Sequence, residues 1–156
     1  MRDQRKYDMN TEKTNDMKDV LITIRSTRSL GGGSDGMELI TEGKYAVEGD
    51  GVRFFYMESE LTGLEGTKTD FLVTPEEVIM SRCGAVTSQM VFRKGRKQHF
   101  AYETPYGTLT MGLDTHKVRH QLGEHGGDME IEYDIDLDRA VVSRNRFRIN
   151  VRDKGN

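Results

Sequence analysis

Between Asp128 and Asp138 the chain reads DMEIEYDIDLD, an unbroken alternation of apolar and acidic side chains. Successive side chains of a strand point to opposite faces, so a period of two sorts this stretch into a wet face and a dry one. Met129, Ile131, Tyr133, Ile135 and Leu137 form the dry set; Asp128, Glu130, Glu132, Asp134, Asp136 and Asp138 form the wet set. The following VVSRNRFRINVR, residues 141–152, answers with Phe147, Ile149 and Val151 against Arg144, Arg146, Arg148 and Arg152. Matching the two dry faces requires a three-residue loop at Asp138–Ala140, or another of the same parity. That register sets Asp134 against Arg144, Glu132 against Arg146 and Glu130 against Arg148. Each such pair contributes roughly 0.2–1 kcal/mol, while a one-residue slip would drive the arginines into the core. The same register turns Ser143 and Asn145 inward, which points to buried water or a partly hydrated cavity.

The rest of the chain keeps this period. Val20, Ile22 and Ile24 alternate with Leu21, Thr23 and Arg25, and residues 39–47 alternate likewise. Further runs fall at 52–58, 67–73, 77–83, 88–93, 98–103, 108–113 and 117–122. Glycine-rich or proline-bearing turns separate them: Gly31–Gly36, Gly49–Gly51, Thr74-Pro75, Lys94-Gly95, Pro105–Gly107 and Gly126-Gly127. Many short strands joined this way predict an all-β sandwich or barrel. Both prolines sit in turns, where a missing donor harms no ladder. No convincing helix is present, although Pro75 to Met80 leaves room for one turn.

A chain of 156 residues fits one domain. Residues 1–16 carry four basic and four acidic side chains and no aliphatic residue except methionine. They read as a polar N-terminal tail, with the globular domain spanning 17–152 and a short tail at 153–156; Met17 is a candidate internal start. The formal charge of −3 argues against nucleic acid as a partner. Cys83 is the only cysteine, as in a reducing compartment, and it reads as a small buried hydrophobe. The N-terminus does not read as a signal peptide, and no apolar run is long enough for a membrane-spanning helix. A cytoplasmic location without a membrane partner is the expectation.

Several motifs imitate chemistry without its context. Gly32-Gly33-Ser34-Asp35-Gly36 satisfies the G-x-S-x-G pattern, but a nucleophile elbow needs a strand, a sharp turn and a helix. Here the stretch joins two strands. Asp134, Asp136 and Asp138 imitate an EF-hand start, yet Arg139 replaces the required glycine and Asn145 the final glutamate. His116 and His120 would share a strand face at a separation of roughly 13 Å, too far for one ion. His120 is in phase with Val118 and Leu122 and reads as inward. No metal site and no catalytic residue is assigned. Arg82 shares a face with Val78 and Met80; if inward it needs a partner such as Glu58, and otherwise it rests at a barrel mouth with its head in water.

The segments ESELTGLEGTKT (58–69), RCGAVTSQMVF (82–92) and YETPYGTLTMG (102–112) resemble the YwiB-like family of small bacterial β-barrel proteins. The likeness extends in matching order over most of residues 17–152. It implies an antiparallel, up-and-down, calycin-like barrel of about 8–10 strands, as in lipocalins and fatty-acid-binding proteins, and it brings no catalytic residues. Within such a barrel, 58–69 becomes a hairpin whose Leu61 and Leu64 plug one end, or a lid whose acids face a ligand. Glu58, Glu60 and Glu65, with Arg82, Tyr102, Glu103, Tyr106, Ser143 and Asn145, are then the candidate ligand-binding residues. The leading expectation is a binding barrel for one small, partly apolar molecule. A protein-interaction module is the alternative, and a barrel-end enzyme, using an acid and a tyrosine for proton transfer, is the third reading. Neither cofactor nor protein partner can be named from these residues.

Overall fold

The structure, a computed structural model, describes residues 17–138 and 140–154; the proposed tail 1–16 and residues 155–156 lie outside the described residues. Ten strands follow one another: β1 (Lys18–Leu30), β2 (Gly33–Glu48), β3 (Gly51–Met57), β4 (Lys68–Val73), β5 (Val78–Cys83), β6 (Ser88–Phe92), β7 (Lys97–Thr104), β8 (Gly107–Gly123), β9 (Gly126–Leu137) and β10 (Ala140–Asp153). All paired neighbours are antiparallel, in the order β6-β5-β4-β3-β2-β1-β10-β9-β8-β7. Consecutive strands are therefore neighbours, and β1 pairs with β10 to join the ends of the meander. Among the described residues the two free edges, β6 and β7, meet only at one bridge: Thr87 and Glu103 exchange backbone hydrogen bonds of 3.0 and 2.9 Å. The barrel is nearly closed, with its seam inside a hairpin.

The β9–β10 register is the one the charges demand: Asp134 faces Arg144, Glu132 faces Arg146 and Glu130 faces Arg148. The loop differs from the expected one. Leu137 pairs directly with Ala140, and a bulge between Val141 and Ser143 supplies the missing residue of parity. Arg139, in the predicted loop, lies outside the described residues. A second bulge, between Thr115 and Lys117, explains why 108–113 and 117–122 read as separate runs. They are the two halves of β8, and His116 is the extra residue. His116 and His120 consequently do not share a face: His116 Nε2 lies 3.0 Å from Asp134, while His120 pairs opposite the core residue Met129.

Other expectations change for equally local reasons. Ser34 lies within β2, paired with Ser29, so the G-x-S-x-G stretch forms no elbow. Pro75–Met80 makes no helical turn; the one found among the described residues is a 3-10 turn at Glu60–Thr62. Ser59 caps that turn by accepting a hydrogen bond from Leu61 N–H, and Gly63 ends it in the left-handed conformation at φ 77°. Leu61 is 79% exposed and plugs nothing, whereas Leu64 is half-buried. Cys83 is exposed, because the phase that turns Met80 and Arg82 inward turns Ser81 and Cys83 out.

The apolar core fills the barrel half that carries the described chain ends. Val20, Ile22, Tyr45, Val52, Phe54, Phe71, Val73, Val78, Phe92 and Ile131 are fully buried there. Phe54 stacks on Phe71 with ring centres 4.9 Å apart and on Tyr45 at 6.1 Å. Each such side chain withdrawn from water contributes roughly 1.5–3 kcal/mol. Tyr45 donates its hydroxyl to the Gly123 carbonyl at 2.6 Å, and burial pushes its phenol up to about 12.

Candidate functional site

Above that core the inward phase changes character, and on several strands it does so at one level. On β3 it runs Val52, Phe54, Tyr56, Glu58; on β4, Val73, Phe71, Thr69, Thr67; on β5, Val78, Met80, Arg82; and on β6, Phe92, Met90, Ser88. Register aligns the polar members. Tyr56 pairs with Thr69, Thr69 with Arg82, and Arg82 with Ser88. A second polar row forms on β1, β10, β9 and β8: Arg28 pairs with Asn145, Asn145 with Tyr133, and Tyr133 with Thr115. This row meets the apolar core where the Phe92 ring packs on Tyr133 at 4.9 Å, and Phe147 flanks Tyr133 at 5.6 Å.

The first wall is bonded around Glu58, whose residue exposure is only 6%. Thr69 donates its hydroxyl to Glu58 at 2.5 Å, and Arg82 Nε donates to Thr69 Oγ1 at 3.3 Å. Arg82 Nε lies 3.9 Å from the same carboxylate oxygen, so the ion pair is bridged by threonine rather than direct. The guanidinium side chain is 20% exposed, which replaces the picture of a head in open water with that of a largely buried cation. Thr67 anchors the connection below: its hydroxyl accepts from Ala85 N–H at 2.9 Å and its carbonyl from Glu58 N–H at 2.8 Å. Burial raises the Tyr56 phenol above its ordinary value, with the Glu58 charge adding to the effect. Burial likewise raises Tyr133, opposed by the positive fields of Arg82 and Arg28. The fields of both arginines thus bear on one phenol.

Ser88 Oγ and Thr115 Oγ1, one on each wall, are buried without a hydrogen-bond partner among the described residues. An unpaired buried hydroxyl costs about 1–3 kcal/mol relative to a satisfied one. Each orphaned hydroxyl marks a place for a water or for a ligand's polar atom.

The sequence-derived candidates divide accordingly. Glu58 and Arg82 come together on one wall. Ser143 and Asn145 come together on the other, where Asn145 Nδ2 donates to Ser143 Oγ at 2.9 Å. Tyr102 is half-buried on β7, opposite Leu109. Glu60, Glu65 and Glu103 are exposed, Glu103 contributing its backbone to the seam bridge. Tyr106 is 98% exposed at a hairpin tip. The single polar rim expected from all these residues does not form. The belt contains residues outside the candidate set: Arg28, Tyr56, Thr69, Ser88, Thr115 and Tyr133. Arg28 could have been found by extending the inward phase of Val20, Ile22 and Ile24 two steps beyond Ser26.

An open groove of about 1220 Å³ is lined by Arg25, Arg119, Glu130, Arg148 and Arg152 together with the core residues Met129 and Ile149. Arg25 is paired there with Glu38 and Arg148 with Glu130. No group of three potential metal ligands is found among the described residues. No helix among them is long and apolar enough to cross a membrane.

The fold and the belt can be set beside known proteins. The model of a domain of unknown function, DUF1934, matches residues 22–149. The chain belongs to the DUF1934 family. A curated relative, the uncharacterized beta-barrel protein YwiB of Bacillus subtilis strain 168, is 28% identical over 116 residues, covering 74% of this chain and 80% of the relative. The crystal structure of ywiB protein from Bacillus subtilis superposes with a TM-score of 0.81 at 25% identity, covering 92% of this chain and 99% of that one. The DUF1934 match begins at Ile22 and ends at Ile149, so it contains both walls of the polar belt.

Proposed function

We propose that this DUF1934 barrel binds one small, partly apolar molecule in the polar belt above its core, in the manner of a calycin-like carrier rather than of an enzyme. The observation that carries the reading is that each polar row holds a buried hydroxyl with no hydrogen-bond partner among the described residues: Ser88 Oγ in register with Arg82, and Thr115 Oγ1 in register with Tyr133. Polar atoms buried unpaired are costly, and a bound molecule that completes their hydrogen bonds offsets that cost. The neighbouring rings of Phe92, Tyr133 and Phe147 supply the apolar surface such a molecule needs. The single cysteine is the usage of a reducing compartment, which favours the cytoplasm as the place where the ligand is met.

The test compares native and denatured masses of gently purified protein, in the wild type and in Thr115→Val. An added mass that is lost on denaturation is expected in the wild type. In Thr115→Val, which exchanges the orphan hydroxyl for a methyl, that mass should fall, while the apo-protein gains about 1 kcal/mol of stability. An apo mass in both proteins, together with unaltered amide NMR shifts at the belt on adding cell extract, would sink the reading.

A further inference from the structure

We infer that the polar belt recognises an anionic oxygen group, carried on a flat apolar body, through Arg82 and Arg28. The inference rests on the barrel being a ligand-binding one and names the chemical class it takes. The belt has an excess of donors. Arg82 donates through Nε to Thr69, and its two terminal nitrogens have no acceptor among the described residues. Arg28 makes no ion pair among them, and the Tyr133 hydroxyl has no hydrogen-bond partner there. Ser88 and Thr115 add two further unpaired hydroxyls. The acceptors are few by comparison. Glu58 is the one buried carboxylate of the belt and is already engaged by Thr69 at 2.5 Å. Asp35, in register beside Arg28, is exposed as Arg28 itself is, and no ion pair joins the two among the described residues.

A guanidinium held four-fifths out of water with both terminal nitrogens unanswered is poised for a planar, two-oxygen acceptor. Arg28 lies in one register row with Asn145 and Tyr133, and its positive field, like that of Arg82, reaches the Tyr133 phenol from another strand. An anion placed among them meets two positive charges against one committed carboxylate. The apolar body follows from the rings on either side of Tyr133: Phe92 at 4.9 Å and Phe147 at 5.6 Å.

Two fluorescent probes of similar shape separate charge from shape: anilinonaphthalene sulfonate, an anion, and N-phenyl-1-naphthylamine, which is neutral. Both are titrated into the full chain as wild type, Arg28→Gln and Arg82→Lys. Arg28 is exposed and unpaired, so its variant keeps the fold even if Arg82→Lys does not, and far-ultraviolet circular dichroism checks each. One equivalent of the sulfonate should bind, and Arg28→Gln should weaken it about tenfold, the loss expected for one charge-assisted contact. The neutral probe should change less than about twofold, having no such contact to lose. Equal binding of both probes, indifferent to the arginines, overturns the anion while leaving the binding barrel standing. If neither probe binds, the ligand-binding reading falls and takes the anion with it. Displacement of the sulfonate by benzoate supports the flat body, and displacement by inorganic phosphate alone overturns that part.

Discussion

Glu130 illustrates how much of the outer face is settled by one side chain. Its carboxylate receives Lys117 at 2.9 Å, Arg146 at 2.5 Å and Arg148 at 3.2 Å, each from a flanking strand. Lys117 is the largest cause, followed by Arg146, and together with Arg148 they hold the carboxyl down to about 2 from an ordinary 4.5. The sign follows from linkage. A group whose native pKa is depressed stabilises the fold above its unfolded value and ceases to do so as pH falls through the native one. Glu130 therefore contributes fully above pH 4.5, and progressively less as the pH drops toward 2. Its side chain is 18% exposed, so screening cuts the contribution to about 1–2 kcal/mol. Glu130→Gln should lose that amount in urea unfolding at pH 7, with Glu132 left as the partial counter-charge to Lys117 and Arg146. The gap to wild type should close as both are titrated toward pH 2. An equal deficit at pH 7 and at the acid end would show that packing, not charge, is lost.

At the scale of elements, what was legible depended on whether the period of two ran unbroken. The β9–β10 charges specified their register because a one-residue slip buries the arginines, and Ser143 and Asn145 fell out of the same phase, whereas Arg82 beside Glu58 was one of two readings of the Val78 face. Bulges hid the rest. Leu113 and Val118 are both inward, yet five positions separate them, which a regular strand forbids. Thr115 sits immediately before that extra residue, so its orphan hydroxyl could not be assigned a face from the pattern. Arg28 was obscured differently: the triple glycine ahead of it reads as a loose loop, whereas β1 and β2 pair up to Leu30 and Gly33. The bulge itself gives a test. Deleting His116 leaves Thr115 inward, Lys117 outward and Val118 inward, a regular strand that costs the Asp134 contact at 3.0 Å and the local bend. Deleting Arg119 instead sends His120 and Leu122 outward. Thermal unfolding should show the His116 deletion folded and destabilised by no more than about 2 kcal/mol, with the Arg119 deletion far worse. Equal damage from both would mean the bulge is required for closure.

For the molecule as a whole, the position of the seam sets the order in which contacts must be made. The ladder between β1 and β10 joins opposite ends of the chain, while β6 and β7, consecutive in sequence, share a single bridge. Every ladder except one thus forms between strands consecutive in sequence, and the exception carries the largest loop-closure cost. The ends themselves are adjacent: Lys154 N–H donates to the Asp19 carbonyl at 3.3 Å. Linking Lys154 to Lys18 through a short glycine linker and opening the chain in the turn between Phe92 and Lys97 would make sequence order coincide with spatial order, from β7 round to β6. In that permutant β1 and β10 become a local hairpin and only the Thr87–Glu103 bridge becomes long-range. Stopped-flow refolding should therefore be faster than for the natural order, by about tenfold if topology sets the rate. A control opened between Glu48 and Gly51 removes the short link from a true ladder, β2 with β3, and should gain less. Slower refolding of the seam permutant than of the control would mean that the Thr87–Glu103 bridge forms early, and that the barrel closes around its seam rather than at its termini.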